Sequence, residues 1–279
     1  MKNKNNDNLY RYSTEKPWSF IIVVVLYLIG AASFPSRIFH FIPGAEKDVE
    51  LISIFISRAI CIGIPVWLMF EIKIEKLFLL KSKITDVLLI IPFFVVVLNN
   101  IPFFPFASGE LNFASDVTAK TIIFYILACF CGVALEEIVF RGLVFSTLLR
   151  KYKDKKQCVF FAVLISSALF GATHIVNLFG GASIGSVVMQ IGYSFLIGGM
   201  CAVALYLTGC INYSIMLHFI FNLGGLLSSY EMISGAIWTT LTIALTAIIA
   251  VIVSIYTIIL LFKGKKHDII FEKIDYFAR

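Results

Sequence analysis

Charged residues are scarce in this chain: 14% of its 279 residues are Asp, Glu, Lys or Arg, against about 25% in an average soluble domain. Hydrophobic residues make up 59%, with 27 Phe among them, and the mean hydropathy is +0.94. A water-soluble domain could not cover that much apolar surface, so an ordinary globular enzyme is excluded. No CxxC pair exists among the six cysteines, Cys61, Cys129, Cys131, Cys158, Cys201 and Cys210. That argues against a disulfide framework or a zinc ribbon, and all six read as small apolar packing residues. A His-Glu-x-x-His helix is also missing, so any metal site must be assembled from separate segments. There is no internal repeat of the kind common in transporters, no low-complexity tract and no long linker.

What is present is a series of apolar runs close to the roughly 20 residues that cross a bilayer. They cover Trp18–Phe34, Leu51–Phe70, Ile84–Phe104, Thr118–Leu135, Val159–Ile175, Val187–Leu207, Ile211–Leu227 and Ala236–Phe262. The pattern predicts an all-α, polytopic transmembrane helical bundle of about eight spans. Pro92, Pro102 and Pro105 make the third the least regular. Residues 1–117 read as N-terminal membrane helices serving as scaffold. Residues 118–230 hold the candidate chemistry, and 231–279 a last membrane helix with a basic tail.

The net charge of +6 does not point to nucleic acid, because the bases sit between spans. Lys2, Lys4, Arg11 and Lys16 precede the first; Lys73, Lys76, Lys81 and Lys83 follow the second. Arg150, Lys151, Lys153, Lys155 and Lys156 follow the fourth, and Lys263, Lys265 and Lys266 the eighth. An even number of spans separates each cluster from the next, so all can face the cytoplasm together, with both termini inside. Ala31-Ala32-Ser33 resembles a signal-peptide cleavage site, but the long apolar run before it reads as a retained span. The tail Lys263–Arg279 is expected on the cytoplasmic leaflet, with membrane lipids as its partners.

Polar side chains inside spans cost several kcal/mol unless they do something (about 2.5–3.5 for a charge near the bilayer centre). Three groups stand out. The first is Leu135 through Gly142, with Glu136, Glu137 and Arg141. On a helix Glu137 and Arg141 share a face and can pair, whereas Glu136 lies about 100° away and remains the free carboxylate. Glu136 is 14 residues from Arg150, about 21 Å along a straight helix, which is deep for a headgroup position. The second group is Phe170 through His174, where a lone histidine is more often a satisfied core residue. The third is His218 through Asn222, an imidazole and an amide four apart on one face, which could equally be a helix–helix hydrogen-bonding pair. Tyr206, Thr208, Asn212 and Tyr213 are expected at the interface or in the turn at Gly209. His40 and His267 read as solvated.

A carboxylate, two imidazoles and an amide meeting in one pocket suit a hydrolase. The carboxylate is a general base towards water, and the imidazole and amide can donate to an oxyanion. Glu136, His174 and His218 are also the candidates for a divalent metal such as zinc. Buried Glu, Arg and His residues mark transporters as well, and a non-catalytic membrane scaffold is a third class.

The three groups together resemble the CPBP family of intramembrane proteases, also called type II CAAX prenyl endopeptidases. The shared features are a double glutamate with an arginine four residues on, F-x-x-x-H and H-x-x-x-N, in that order. Tyr206 through Ile211 is similar to the family's approach to the third motif, and the resemblance covers roughly Thr118–Tyr230. It implies that Glu136 and His174 activate water, that His218 and Asn222 stabilise the oxyanion, and that Glu137 and Arg141 support the site. It implies a peptide or membrane-protein substrate, with either a metallo- or a glutamate-type mechanism. Asparagine is a poor zinc ligand and a good oxyanion donor, which leans towards the metal-free version. The Lys-, Asn-, Ile- and Phe-rich composition fits a bacterial cell membrane. With it the family's roles in peptide maturation and bacteriocin self-immunity are favoured over prenylated substrates.

Overall fold

The computed structural model describes residues 8–33, 41–155, 157–234, 240–263 and 268–274. His40, His267, Lys2, Lys4, Lys156, Lys265 and Lys266 lie outside the described residues. The chain is almost wholly helical. In order it forms α1 (Asn8–Glu15), α2 (Pro17–Ala32), α3 (Glu46–Glu71), α4 (Ile84–Leu88), α5 (Ile91–Asn99) and α6 (Phe103–Ser108). After the two-residue strand β1 (Asn112–Phe113) come α7 (Ala119–Glu137), a π-helical stretch Ile138–Phe145, α8 (Ser146–Tyr152) and α9 (Cys158–Thr173). A 3₁₀ turn His174–Leu178 leads to α10 (Ile184–Thr208) and α11 (Ile211–Gly225), then β2 (Ile233–Ser234), α12 (Thr240–Lys263) and α13 (Asp268–Ile274).

Every predicted apolar run is helical, but not all are long. Among the described residues five helices are long and apolar enough to cross a membrane: Glu46–Glu71, Ala119–Tyr152, Cys158–Leu178, Ile184–Thr208 and Ile243–Phe262. A sixth is counted if α1 and α2, bent by 107°, act as one. The third run is broken as its prolines require: Pro92 sits in the first turn of α5, and Pro102 caps α6. α11 has only 15 residues, about 22 Å at 1.5 Å each.

The basic clusters gather at one end of the bundle. Arg150 donates to Ile72 O and Ile274 O, at 2.8 and 2.7 Å, and its guanidinium lies over the Tyr10 ring. Lys273 donates to Leu79 O and Gly209 O, and Ser82 to Thr208 O. The loops after α3, α8 and α10, together with the start of the chain, therefore share one face. At the opposite end β1 pairs antiparallel with β2. There Lys47 bridges Asp116 and Glu231 O, and Asp48 accepts from Thr121.

α13 docks at the basic end, with Ile270 and Ile274 buried in the main core. Thr208 ends α10 and forms the expected turn at Gly209, its hydroxyl accepting from Cys210 N, while Tyr206 and Thr208 are 6% and 0% exposed. Gly209 closes α10 with a φ of 61°, a left-handed conformation that suits glycine.

In lipid, helices associate through close packing and polar contacts, and α9 and α10 do so through small residues. A Cβ on Gly171 would sit 2.9 Å from Ile191 O, and one on Gly198 3.1 Å from both Arg141 Nη2 and Phe170. One hydrophobic core runs from Phe20 on α2 to Ile274 on α13.

Candidate active site

The site is built on the junction where α7 becomes π-helical. Thr118 caps α7 reciprocally with Thr121, and the Thr121–Asp48 bond fixes that end to α3. The helix delivers Glu136 and Glu137 at its last turn. Beyond them the ladder widens over Ile138–Phe145, all eight residues buried. A π segment has i→i+5 bonding and is frequent at functional sites. Two serine hydroxyls occupy carbonyls of this stretch: Ser146 Oγ donates to Arg141 O and Ser166 Oγ to Phe140 O, each at 3.3 Å.

Glu137 is 0% and Arg141 1% exposed. Arg141 Nη1 lies 2.9 Å from Glu137 Oε1, the expected pairing. The approach is off the angle of a hydrogen bond, so Arg141 Nε, Nη1 and Nη2 meet no hydrogen-bond acceptor among the described residues. The guanidinium lies instead over the Phe170 ring, 4.5 Å from its centroid.

The same Glu137 Oε1 accepts from His218 Nδ1 at 2.7 Å. This bond joins α7 to α11 and was not foreseen: spacing along one helix pairs Glu137 with Arg141 but says nothing of a partner on another. With Nδ1–H donating to the carboxylate, His218 turns Nε2 towards Glu136, whose Oε2 is 3.8 Å away. The Glu136 side chain is 32% exposed while that of Glu137 is closed off. The open and the sealed carboxylate are thus the ones that helix geometry assigns.

His174 heads the 3₁₀ turn after α9. Its Nδ1 lies 3.1 Å from Phe170 O. A carbonyl only accepts, so Nδ1 carries a proton, and in the neutral ring Nε2 then holds the lone pair. No hydrogen bond or ion pair links His174 to Glu136 among the described residues. What ties the two imidazoles into one cluster is Phe170, whose ring stands edge-on to His174 at 5.3 Å and to His218 at 5.5 Å.

Asn222, one turn beyond His218 on α11, is half-buried. Its side-chain amide makes no hydrogen bond to the protein among the described residues. α11 is held here from two sides. Tyr125 OH donates to Leu223 O at 2.7 Å, and Gly224 lies so close to α5 that a Cβ would reach 2.3 Å from Asn100 O.

Glu136, His174 and His218 do not form a three-ligand group, and no cluster of His, Cys, Asp or Glu suited to a metal occurs among the described residues.

No curated protein and no solved structure matches the chain. Residues 118–224 match the family model described as type II CAAX prenyl endopeptidase Rce1-like. That stretch begins at the cap of α7 and ends two residues after Asn222, so it holds every residue of the cluster. The match carries an intramembrane, CAAX protease-type function on a multi-pass membrane protein, acting on a membrane-embedded peptide or protein. Over residues 118–224 the chain is therefore similar to the Rce1-like type II CAAX prenyl endopeptidase family.

Proposed function

We propose that the chain is an endopeptidase of the bacterial cell membrane in which Glu136 and His174 activate water while His218 and Asn222 stabilise the oxyanion. The observation that carries this is the graded exposure of two adjacent carboxylates. Glu137 is sealed between Arg141 and His218, while Glu136 is open and 3.8 Å from His218 Nε2. At that separation the pair is outside direct hydrogen-bond range, and a bridging water or substrate oxygen fits.

In the reaction Glu136 takes a proton from water as the oxygen attacks the scissile carbonyl carbon. The His174 Nε2 lone pair orients that water. The oxyanion accepts from the Asn222 amide and from His218 Nε2–H, which requires the His218 ring to hold both protons, its charge facing Glu137. The C–N bond breaks as Glu136 returns the proton to the leaving amine. Glu137 and Arg141 hold the geometry.

The site lies far from the basic end. Glu136 is 14 residues from Arg150, about 21 Å of a hydrocarbon layer about 30 Å thick. By the positive-inside rule this is the outer half. That depth supports an exported peptide, such as a pheromone or bacteriocin-related precursor, over a cytoplasmic prenylated tail.

The test is comparative peptidomics of a deletion strain complemented with wild type or with Glu136→Gln. Peptides that mature only with the wild type establish the enzyme. Full rescue of the cellular phenotype by Glu136→Gln sinks it in favour of a scaffold. Solute flux in liposomes that survives Glu136→Ala would favour a transporter.

A further inference from the structure

Two polar side chains near the site belong to none of the motifs. Asn177 Nδ2 donates to Gln190 Oε1 at 2.7 Å, joining the 3₁₀ turn after α9 to α10. Both are half-buried, and Gln190 lies in an otherwise apolar, membrane-spanning helix. A glutamine there is costly unless it serves a purpose. Holding the turn against α10 uses only one of its hydrogen-bonding groups.

Three placements aim this pair at the catalytic cluster. In a 3₁₀ helix side chains at i and i+3 eclipse, so Asn177 stands on the same face of the His174–Leu178 turn as His174. On α10, Gln190 and Tyr193 are three apart and share a face, and the Tyr193 hydroxyl lies beside Gln190. The Tyr193 ring packs 5.8 Å from Phe221, the neighbour of Asn222. Asn177, Gln190 and Tyr193 thus form a polar strip from the His174 side of the site to the Asn222 side.

Each amide has a donor half and an acceptor half. Once Asn177 Nδ2 and Gln190 Oε1 have met and one Gln190 amide N–H faces the Tyr193 hydroxyl, Asn177 Oδ1 and the second Gln190 N–H are left side by side. Turning both amides over leaves one acceptor and one donor again, so the conclusion does not depend on their assignment. An acceptor beside a donor is the complement of one residue of an extended chain, whose own N–H and C=O point to the same side. A protease holding an extended substrate in a water-poor site must satisfy that backbone, and sheet-like pairing with side-chain amides would do so.

We propose that the Asn177–Gln190 pair, with Tyr193, is a docking strip that binds the backbone N–H and C=O of one residue of an extended peptide substrate next to the scissile bond. The proposal rests on the protease reading.

The probe is the best-cleaved member of a quenched-fluorescent peptide library presented in liposomes, chosen because Glu136→Gln abolishes its cleavage. Each backbone N–H near the cleaved bond is then replaced in turn by an ester oxygen. With wild type, one position should lose about 2- to 12-fold in kcat/KM, mostly through KM, as expected for one hydrogen bond of about 0.5–1.5 kcal/mol. With Asn177→Leu or Gln190→Leu that position should lose its sensitivity while the others keep theirs. The exchanged pair Asn177→Gln with Gln190→Asn should restore part of it.

Ester losses that are the same in wild type and both leucine variants would overturn the strip and leave the protease standing. A library with no Glu136-dependent cleavage overturns both. A merely structural pair would lower thermal stability in the leucine variants without changing which ester position matters.

Discussion

Removing the charge of Glu137 should be among the most damaging single changes in the molecule, and the damage should be partly reversed by a second change. Glu137 and Arg141 are 0% and 1% exposed, 2.9 Å apart. In Glu137→Gln the new amide oxygen can still accept from His218 Nδ1, but Arg141 keeps a buried charge with no anion beside it. The Phe170 face offsets part of this, about 0.5–2 kcal/mol. Stranding one half of a buried ion pair costs about 3–5 kcal/mol. At 2–4 °C per kcal/mol that is a fall of roughly 6–20 °C in Tm. Arg141→Met strands Glu137 in the same way, although His218 still donates to it, so its loss should be the smaller. In Glu137→Gln with Arg141→Met no charge of the pair remains, and the double variant should be more stable than Glu137→Gln alone. Unfolding can be followed with a thiol-reactive dye in detergent, because Cys129, Cys131, Cys158, Cys201 and Cys210 are buried and react only as the bundle opens. Stability would return without activity, since His218 would still lack its carboxylate. If the two single losses simply add, or if Glu137→Gln shifts Tm by less than about 2 °C, corresponding to under roughly 1 kcal/mol, the charge pair does not hold the site together.

Three further outcomes follow from the packing. Gly224→Ala should abolish folded protein, as its Cβ would meet Asn100 backbone at 2.3 and 2.7 Å; Gly142→Ala should be tolerated, because its close neighbour is the mobile end of Met69 at 2.9 Å. Membrane yield of the two variants, side by side, checks this. Ile270→Ala and Ile274→Ala, both at core positions of α13, should each lose about 2–5 kcal/mol in the thiol assay; wild-type unfolding would mean the tail is not docked in solution. At the base-poor end the hydrogen bond from Lys47 holds the Asp116 carboxyl below its ordinary value of 3.8. A depressed carboxyl stabilises the folded state above that unfolded value and loses the effect as pH falls through the folded one. Hydrogen exchange in β1 and β2 should therefore rise on acidification below about pH 3.8, and Asp116→Asn should erase the step.

The helical class was legible because hydropathy registers the solvent directly. An apolar run of membrane length has no other way to satisfy its backbone, and all eight runs form helices within their described residues. Their lengths were less legible. α11 reads as a span in sequence, yet has 15 residues and is clasped by Tyr125 and by Asn100 Nδ2, which donates to Phe221 O. Within one helix, rotation separated Glu136 from Glu137 correctly. Across helices rotation is silent, so the Glu137–His218 and Asn177–Gln190 bonds had no sequence signal beyond a polar residue in an apolar run. Gln190 carried that signal and was passed over because no titratable group stands beside it in the chain. The π-helical stretch left no trace in composition, since its residues are as apolar as those of an α-helical span. The docking of α13 is silent in sequence as well: Lys273 reads as a lipid-facing base, yet it donates to Gly209 O at 2.6 Å.

The shared oxygen of Glu137 explains why this site needs two adjacent glutamates. Oε1 meets both Arg141 and His218, and Oε2 is buried with no hydrogen-bond partner among the described residues, so that carboxylate holds a base in place and is closed to water. In the proposed reaction the proton acceptor is a second carboxylate within reach of the same imidazole. On a helix the preceding residue, about 100° round, can do this without competing for the same oxygen. Glu136 meets that requirement: it reaches His218 Nε2 from the other side of the ring at 3.8 Å while remaining one-third open. In the proposed reaction the pair thus separates holding from reacting. Removing the open carboxylate, as in Glu136→Gln, should leave a stable and inert protein, whereas Glu137→Gln should leave the open carboxylate in an unstable one.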